Sequence, residues 1–461
     1  METNSIQQPT LNYSTEFEEA KDLLAEKVRQ ISNINKSNGS SGVFRVEQKI
    51  SHVDPLKWLQ QQKNPIKIYW SERDHEFETA GIGFADRITG DNEIDYGAIF
   101  KKMKDGLNPT YENLRYFGGF SFNNKWQDSD WQNFGVYNFL IPQIEVFREG
   151  KETKIAFNFK LNQIENANLK CLDKINYHPD IHFDTSPVLQ ARSDIPDKNE
   201  WVQNIKFAKQ LFRERKIEKI VLARKSNLEF SRKLIPELLL AQLKKVSPTS
   251  FHFYFQPTED VGFLGASPEL LYRRENAKIC SEAVAGTRPR GDTDEEDVKL
   301  AKHLLNSSKD IYEHDLVCQF IEMGMKQLCH SMEMDNRVSI LRSENVQHLY
   351  KKFWGILKEH IGDPDIISIL HPTPAIGGVP KEISFQEIRE IEKFDRGWYA
   401  GPIGWVSTDS AEFAVGIRSG LIIRDNLHLF SGSGIVPDSD PELEWQEIEQ
   451  KISHFMKLFQ A

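Results

Sequence analysis

Ile217-Glu218-Lys219-Ile220-Val221-Leu222-Ala223-Arg224 is short and carries apolar residues on both alternating faces, the pattern of a strand inside a sheet rather than at its edge. Residues 197–215, just before it, read as a helix. Further strand candidates lie at 251–256, 261–266, 277–284, 411–423 and 427–430, with helical stretches between them. Upstream, residues 66–159 alternate aromatic and β-branched runs, such as 118–122 and 135–140, with Gly, Asn and Asp, which predicts an antiparallel sheet. Adjacent strand pairs interrupted by long helices predict an α+β fold, with large, mostly antiparallel β-sheets packed together and helices on the outside. Residues 33–42, rich in Asn, Ser and Gly, read as a surface loop.

The chain has 461 residues, 39% hydrophobic and 11% aromatic, which is ample for a large core and excludes both a disulfide-stapled miniprotein and a disordered chain. With 58 Lys+Arg against 68 Asp+Glu the net charge is −10, so there is no basic field for nucleic acid, and a small anionic substrate needs a local positive pocket. Cys171, Cys280, Cys318 and Cys329 fall in no metal-like spacing, which points to buried thiols in a reducing compartment and no structural zinc. The first residues form neither a basic nor an apolar signal region, and no run approaches the ~18 apolar residues of a membrane span. The expectation is a soluble, cytoplasmic protein with no membrane partner.

Four segments place chemistry among apolar residues. Alternation puts Lys219 on one strand face with Val221 and Ala223, where desolvation disfavours its charged form and makes it a candidate general base; a strand-end lysine reaching into water gives the same pattern. Glu269 follows Pro268 between two apolar runs, a setting for a carboxyl held protonated as a general acid or for a plain turn glutamate. On the helix read at 310–328, Glu313 falls on the apolar stripe four residues before Val317, so it needs a cation or a salt-bridge partner. The last helix, with Asp440 as N-cap and Pro441 first, carries Glu444, Glu447 and Lys451 beside its apolar stripe of Ile448, Ile452, Phe455 and Phe459. Two carboxylates one turn apart suit Mg²⁺, with Glu313 as a further ligand, or an exposed Glu–Lys pair. Glycine-rich turns at 285–291 and 431–434 let backbone approach a ligand, and Arg418, in a strand-like apolar run, is a candidate for bidentate carboxylate binding.

Together these segments resemble the chorismate-utilising enzymes, the family of isochorismate, salicylate, anthranilate and aminodeoxychorismate synthases. The motifs occur in family order from 200 to 455: KIVLAR at 219–224, FLGASPELL at 263–271, AGTRPRG at 285–291, SKDIYEHDLV at 308–317, LHPTPAIGG at 370–378, FDRGWYAGPIG at 394–404, SGSGIV at 431–436 and EWQEIEQK at 444–451. Residues 68–83 resemble the family's N-terminal sheet more weakly. The resemblance implies a single chorismate-binding enzyme domain over 61–461, with a sheet subregion at 61–195 and a catalytic subregion at 196–461, after a loosely packed N-terminal extension over 1–60.

Residue by residue, the resemblance implies Lys219 as the base that activates water for attack at C2 of chorismate, where anthranilate synthases usually carry glutamine. Glu269 becomes the acid for the departing C4 hydroxyl. Glu313 and Glu447 become Mg²⁺ ligands, with Glu444 acting through water. Arg418, Tyr399, Gly432 and Lys451 would hold the enolpyruvyl carboxylate, and Gly286, Thr287 and His348 would line the ring side. Ala285 stands where covalent-type aminodeoxychorismate synthases place a lysine, and residues 371–375 are similar to isochorismate synthases. Ser431 and Ser433 depart from the alanines common in that turn. The implied activity is a Mg²⁺-dependent isochorismate synthase, monomeric by family habit. The alternatives are a salicylate synthase, which also expels pyruvate, and a non-catalytic chorismate-binding protein.

Overall fold

A computed structural model describes residues 13–35, 42–51, 53–123, 129–161, 169–178, 187–343 and 346–459. Two large sheets dominate it, and every strand pairing in both is antiparallel. The first, of twelve strands, runs Phe44–Ile50, Glu152–Phe159, Ile144–Glu149, Phe77–Ile82, Lys67–Ser71, Phe251–Thr258, Val261–Ser267, Ser419–Ile423, Asn426–Ile435, Lys219–Phe230 and Gly378–Val379, with Leu189–Ile195 also on the Lys219 strand. The second, of ten strands, runs Cys329–Met334, Val346–Leu357, Lys278–Pro289, Leu270–Glu275, Ser410–Val415, Pro402–Val406, Tyr116–Phe120, Tyr137–Ile141 and Asp86–Gly90, with Ser339–Arg342 also on the Val346 strand. The α+β class read from the sequence holds, and the Lys219 strand is interior.

Aromatic side chains fill the space between the sheets. Phe134 packs edge-on to Trp398 at 5.2 Å and Trp131 edge-on to Phe263 at 5.3 Å, within one continuous core. Strand alternation sends Phe253 and Phe255 into this core and Tyr254 to the opposite face, where a second core forms under helices Tyr13–Asn35, Pro55–Gln61 and Pro236–Val246. Within 1–60, expected as a loosely packed extension, the described residues 13–35, 42–51 and 53–60 contribute to that second core. Phe17, Leu24, Val28 and Trp58 are buried, and Phe44–Ile50 pairs along its whole length with Glu152–Phe159. The proposed subregions interleave too: Lys67–Ser71 pairs with Phe251–Thr258, and Tyr116–Phe120 with Pro402–Val406. Within the loop read at 33–42, residues 36–41 lie outside the described residues.

The chain crosses between the sheets at two adjoining places. Pro268 and Glu269 separate Val261–Ser267 of the first sheet from Leu270–Glu275 of the second; Gly416, Ile417 and Arg418 separate Ser410–Val415 of the second from Ser419–Ile423 of the first. The crossings are hydrogen-bonded to each other, Val415 N–H to the Glu269 carbonyl at 3.1 Å and Ala266 N–H to the Arg418 carbonyl at 3.1 Å. The single strand read at 411–423 is therefore two strands in different sheets. The apolar pattern runs straight through the break, but Arg418 sits at φ 51, in the left-handed region that ends a strand.

The helices match their sequence signals. Lys198–Arg213 opens on a capping box between Asp197 and Glu200. Ser308–Leu328 is capped by Ser307, and in Pro441–Met456 the Asp440 side chain accepts the Glu442 and Leu443 N–H groups. Ile448, Ile452 and Phe455 are buried, whereas Phe459 lies in a short turn past the helix end. Cys318 and Cys329 are buried, and Cys171 and Cys280 are half-buried. Among the described residues, no helix is long and apolar enough to cross a membrane.

Candidate active site

A cavity opens where the two crossings meet the ends of the Lys219, Asn426 and Lys278 strands and the helices carrying Glu313 and Glu447. Ten of the twelve residues singled out in the sequence line it. The exceptions are Lys219 and Glu444, both essentially unexposed and standing behind the wall.

Glu269 occupies the first crossing, 4% exposed, its N–H donated to Ser267 Oγ at 3.2 Å. Burial lifts its carboxyl, Lys219 draws it down, Glu282 lifts it further and Lys451 draws it down, leaving it at about 8. Glu269 therefore carries a proton at neutral pH. The Lys219 amine lies 3.0 Å from Glu313 Oε1 and makes no directed hydrogen bond. Gly434 makes this pair possible, because a Cβ there would stand 2.2 Å from Glu313 Oε1 and 2.9 Å from Lys219 Cε.

Each of the three predicted metal acids is matched to a lysine. Glu313 faces Lys219, Glu447 pairs with Lys451 at 2.6 Å, and Glu444 pairs with Lys309 at 2.5 Å while accepting from Ser433 Oγ at 2.5 Å. Burial alone would lift the Glu447 carboxyl, but Lys451 outweighs it, with Lys309 adding to the effect, and the carboxyl sits below its ordinary value. Burial and the neighbouring Glu447 charge lift Glu444 despite Lys309 and Ser433. Among the described residues no three acids, histidines or cysteines stand together closely enough to hold a metal ion. The three predicted acids do converge electrostatically on one point: burial lowers the Lys309 ammonium, and Glu444, Glu313 and Glu447 together raise it above its ordinary value. A cation thus already sits in the field of all three acids, and the donors are the hard oxygens that Mg²⁺ prefers.

The opposite lining is cationic and neutral. Arg418 on the second crossing makes a 3.4 Å contact to the Lys451 carbonyl, and burial draws its guanidinium down to about 10, still charged at neutral pH. Lys451 Nζ reaches the Gly432 carbonyl at 2.9 Å, and Tyr399 stacks on Phe430 at 5.2 Å. Gly286, at φ 69, forms the bulge that shifts the register between Ala285 and Thr287. His348 Nδ1 lies 3.2 Å from the Gly286 carbonyl and 3.1 Å from Thr287 Oγ1. Burial, then Arg418 and Lys451, push His348 down to about 3, so the ring is neutral. Donating Nδ1–H to the carbonyl leaves Nε2 a buried acceptor without a partner.

Some contributors had no reading in the sequence. Lys309 lies inside the quoted 308–317 motif, four residues before Glu313, a spacing that places both on one helix face. Arg396, fully buried, lines the cavity and ties Glu392 to the Val221 and Ile376 carbonyls. Of the two serines that depart from the family turn, Ser433 bonds Glu444, and the Ser431 hydroxyl is buried at the cavity wall without a partner.

A family model described as chorismate binding enzyme matches residues 26–460. The isochorismate synthase MenF of Bacillus subtilis is 32% identical over 87% of this chain and 90% of its own length. A chloroplastic isochorismate synthase of Catharanthus roseus is 30% identical over 91% of this chain and 81% of its own length. The structure of MenF from Escherichia coli, the menaquinone-specific isochorismate synthase, superposes with a TM-score of 0.83 at 26% identity, covering 96% of this chain and all of that one. On its motifs, its fold and the family match along almost its whole length, the chain belongs to the chorismate-binding enzymes.

Proposed function

We propose that this protein is an isochorismate synthase, an isomerase that moves a hydroxyl of chorismate from C4 to C2. The observation that carries the mechanism is the pairing in one site of a carboxyl that keeps its proton at neutral pH, Glu269, with a fully buried amine, Lys219. Water adds at C2 as the Lys219 amine takes its proton; the ring double bonds shift and the C4 hydroxyl leaves as water with the proton of Glu269. One proton is taken and one given, so atoms and charge balance.

The donor set supports Mg²⁺ held by Glu313 and Glu447, with Glu444 through water. When bound, the ion supplies positive charge for the ring carboxylate. An ion held there would compete with the Lys219 amine for the Glu313 carboxylate. Arg418 and Lys451 supply charge for the enolpyruvyl carboxylate, with Tyr399 and the Gly432 backbone beside them, while His348, Thr287 and Gly286 bound the ring side. Local cations let a chain of net charge −10 take up a dianion.

The reading is tested by incubating purified protein with chorismate and Mg²⁺ and separating the products. An isomer of unchanged mass and new retention time supports it. Salicylate with pyruvate, without a second enzyme, replaces it with a salicylate synthase. Lys219→Ala is expected to lose turnover, and parental turnover in that variant removes the assigned base.

A further inference from the structure

Behind the cavity wall lies an ion pair of a buried carboxylate and a half-buried guanidinium, which meets the lining through the backbone that carries the acid. Glu282, 3% exposed, sits two residues before the lining Val284 and so on the same face of the Lys278–Pro289 strand. Its Oε1 accepts Arg73 Nη2 at 2.6 Å and the Tyr350 hydroxyl at 2.9 Å, while its Oε2 is buried without a partner. Arg73 comes from the turn between strands Lys67–Ser71 and Phe77–Ile82, far from the catalytic motifs in sequence. Its Nη1 donates to the Pro268 carbonyl at 3.1 Å, and its guanidinium lies over the Phe251 ring at 4.8 Å. Pro268 is the residue before Glu269. One guanidinium therefore joins a buried carboxylate to the backbone of the acid.

We propose that Glu282 and Arg73 are positioning residues for the general acid: the buried Glu282 charge keeps the Glu269 carboxyl in its proton-bearing form, and Arg73 fixes the Pro268 carbonyl and with it the place of that carboxyl. This rests on the reading of Glu269 as the acid. Two negative charges near one another in a buried setting disfavour the second ionisation, and burial cuts off the solvent that would screen them. Lys219 from the central strand and Lys451 from the last helix act in the opposite sense. Tyr399 and Arg418 also face the cavity, as do Glu313 and Glu447. Among these groups Glu282 is the anion that lifts Glu269. It bears on the acid without lining the cavity, so its removal spares the substrate contacts.

The experiment is the pH dependence of kcat for the parent, Glu282→Gln and Glu269→Gln, each checked for a single cooperative melting transition. Glu282→Gln keeps an oxygen for Arg73 and Tyr350 while deleting the charge. Its alkaline limb is expected to move down by about one pH unit with KM for chorismate unchanged. A limb that stays in place in folded Glu282→Gln, while Glu269→Gln is inactive, overturns the tuning and leaves the acid standing. Turnover by Glu269→Gln overturns the acid itself. If Glu282→Gln does not fold, Glu282→Thr gives the same charge deletion. A carboxyl ¹³C titration of Glu269 in the parent and that variant reads the shift directly, and coincident curves also refute the proposal.

Discussion

Gly434→Ala places one methyl group on the Lys219–Glu313 pair at the cavity wall. Its Cβ would lie 2.2 Å from Glu313 Oε1, where ordinary contact begins at 3.4 Å, so the carboxylate must retreat by 3.4 − 2.2 = 1.2 Å, and Lys219 Cε at 2.9 Å must also give. A misplacement of about 1 Å at reacting groups costs on the order of 10²-fold in rate, or about 2.7 kcal/mol of transition-state stabilisation. Folding is affected much less. Gly434 is not at positive φ, and the struck atoms are the far ends of flexible side chains, so the stability loss is expected to be under about 1 kcal/mol, below the 1–3 typical of an overpacked rigid core. The neighbouring Gly432→Ala provides the scale: its nearest atoms, the Leu222 carbonyl and the Tyr399 hydroxyl, are 3.1 Å away, and a few tenths of an ångström relieve them. Its loss should stay under about tenfold. Chorismate turnover and thermal melts on both variants decide the matter. A folded Gly434→Ala protein with kcat/KM within twofold of the parent would refute the assignment of Lys219 and Glu313 to the chemistry.

With Glu269 as the proposed acid, kcat should fall as pH rises through about 8; a rate still climbing at pH 10 removes Glu269 from that role. The folded chain holds that proton between the ordinary 4.5 and about 8 while the unfolded chain releases it, so the parent loses stability as pH rises across that window. Glu269→Gln is therefore expected to be inactive yet to melt higher than the parent at pH 8, with the gap narrowing toward pH 4.5; a constant gap contradicts the assignment. Chelation should abolish turnover and Mg²⁺ restore it. Lys309 holds Glu444 at 2.5 Å, so Lys309→Met should tighten Mg²⁺ binding in calorimetry, and weaker binding would mean that the lysine positions Glu444 rather than competing for it.

What was legible in the sequence follows from what is local. Strand period, the Asp440 cap and the Pro441 start depend on near neighbours, and the corresponding elements lie where the pattern put them. The break at Arg418 was not legible, because the residues on both sides of it are apolar for different sheets and the backbone turn leaves no mark in hydrophobicity. Nor was the packing of 13–61, whose apolar residues meet partners hundreds of positions away, such as Leu239 and Leu264. In the site, motif order located the lining residues. The lysine opposite each acid could be read only for Glu447, where Lys451 is one turn on; Lys219 and Lys309 meet their partners through the fold.

The two strand crossings hold Glu269 and Arg418 at a separation written in main-chain hydrogen bonds, Val415 to Glu269 and Ala266 to Arg418. Because peptide groups rather than side chains set that gauge, substitutions along either strand can alter the cavity walls without altering the span between the backbones that carry Glu269 and Arg418. The seam behaves as a fixed ruler, against which sequence change in the surrounding walls can reshape the cavity.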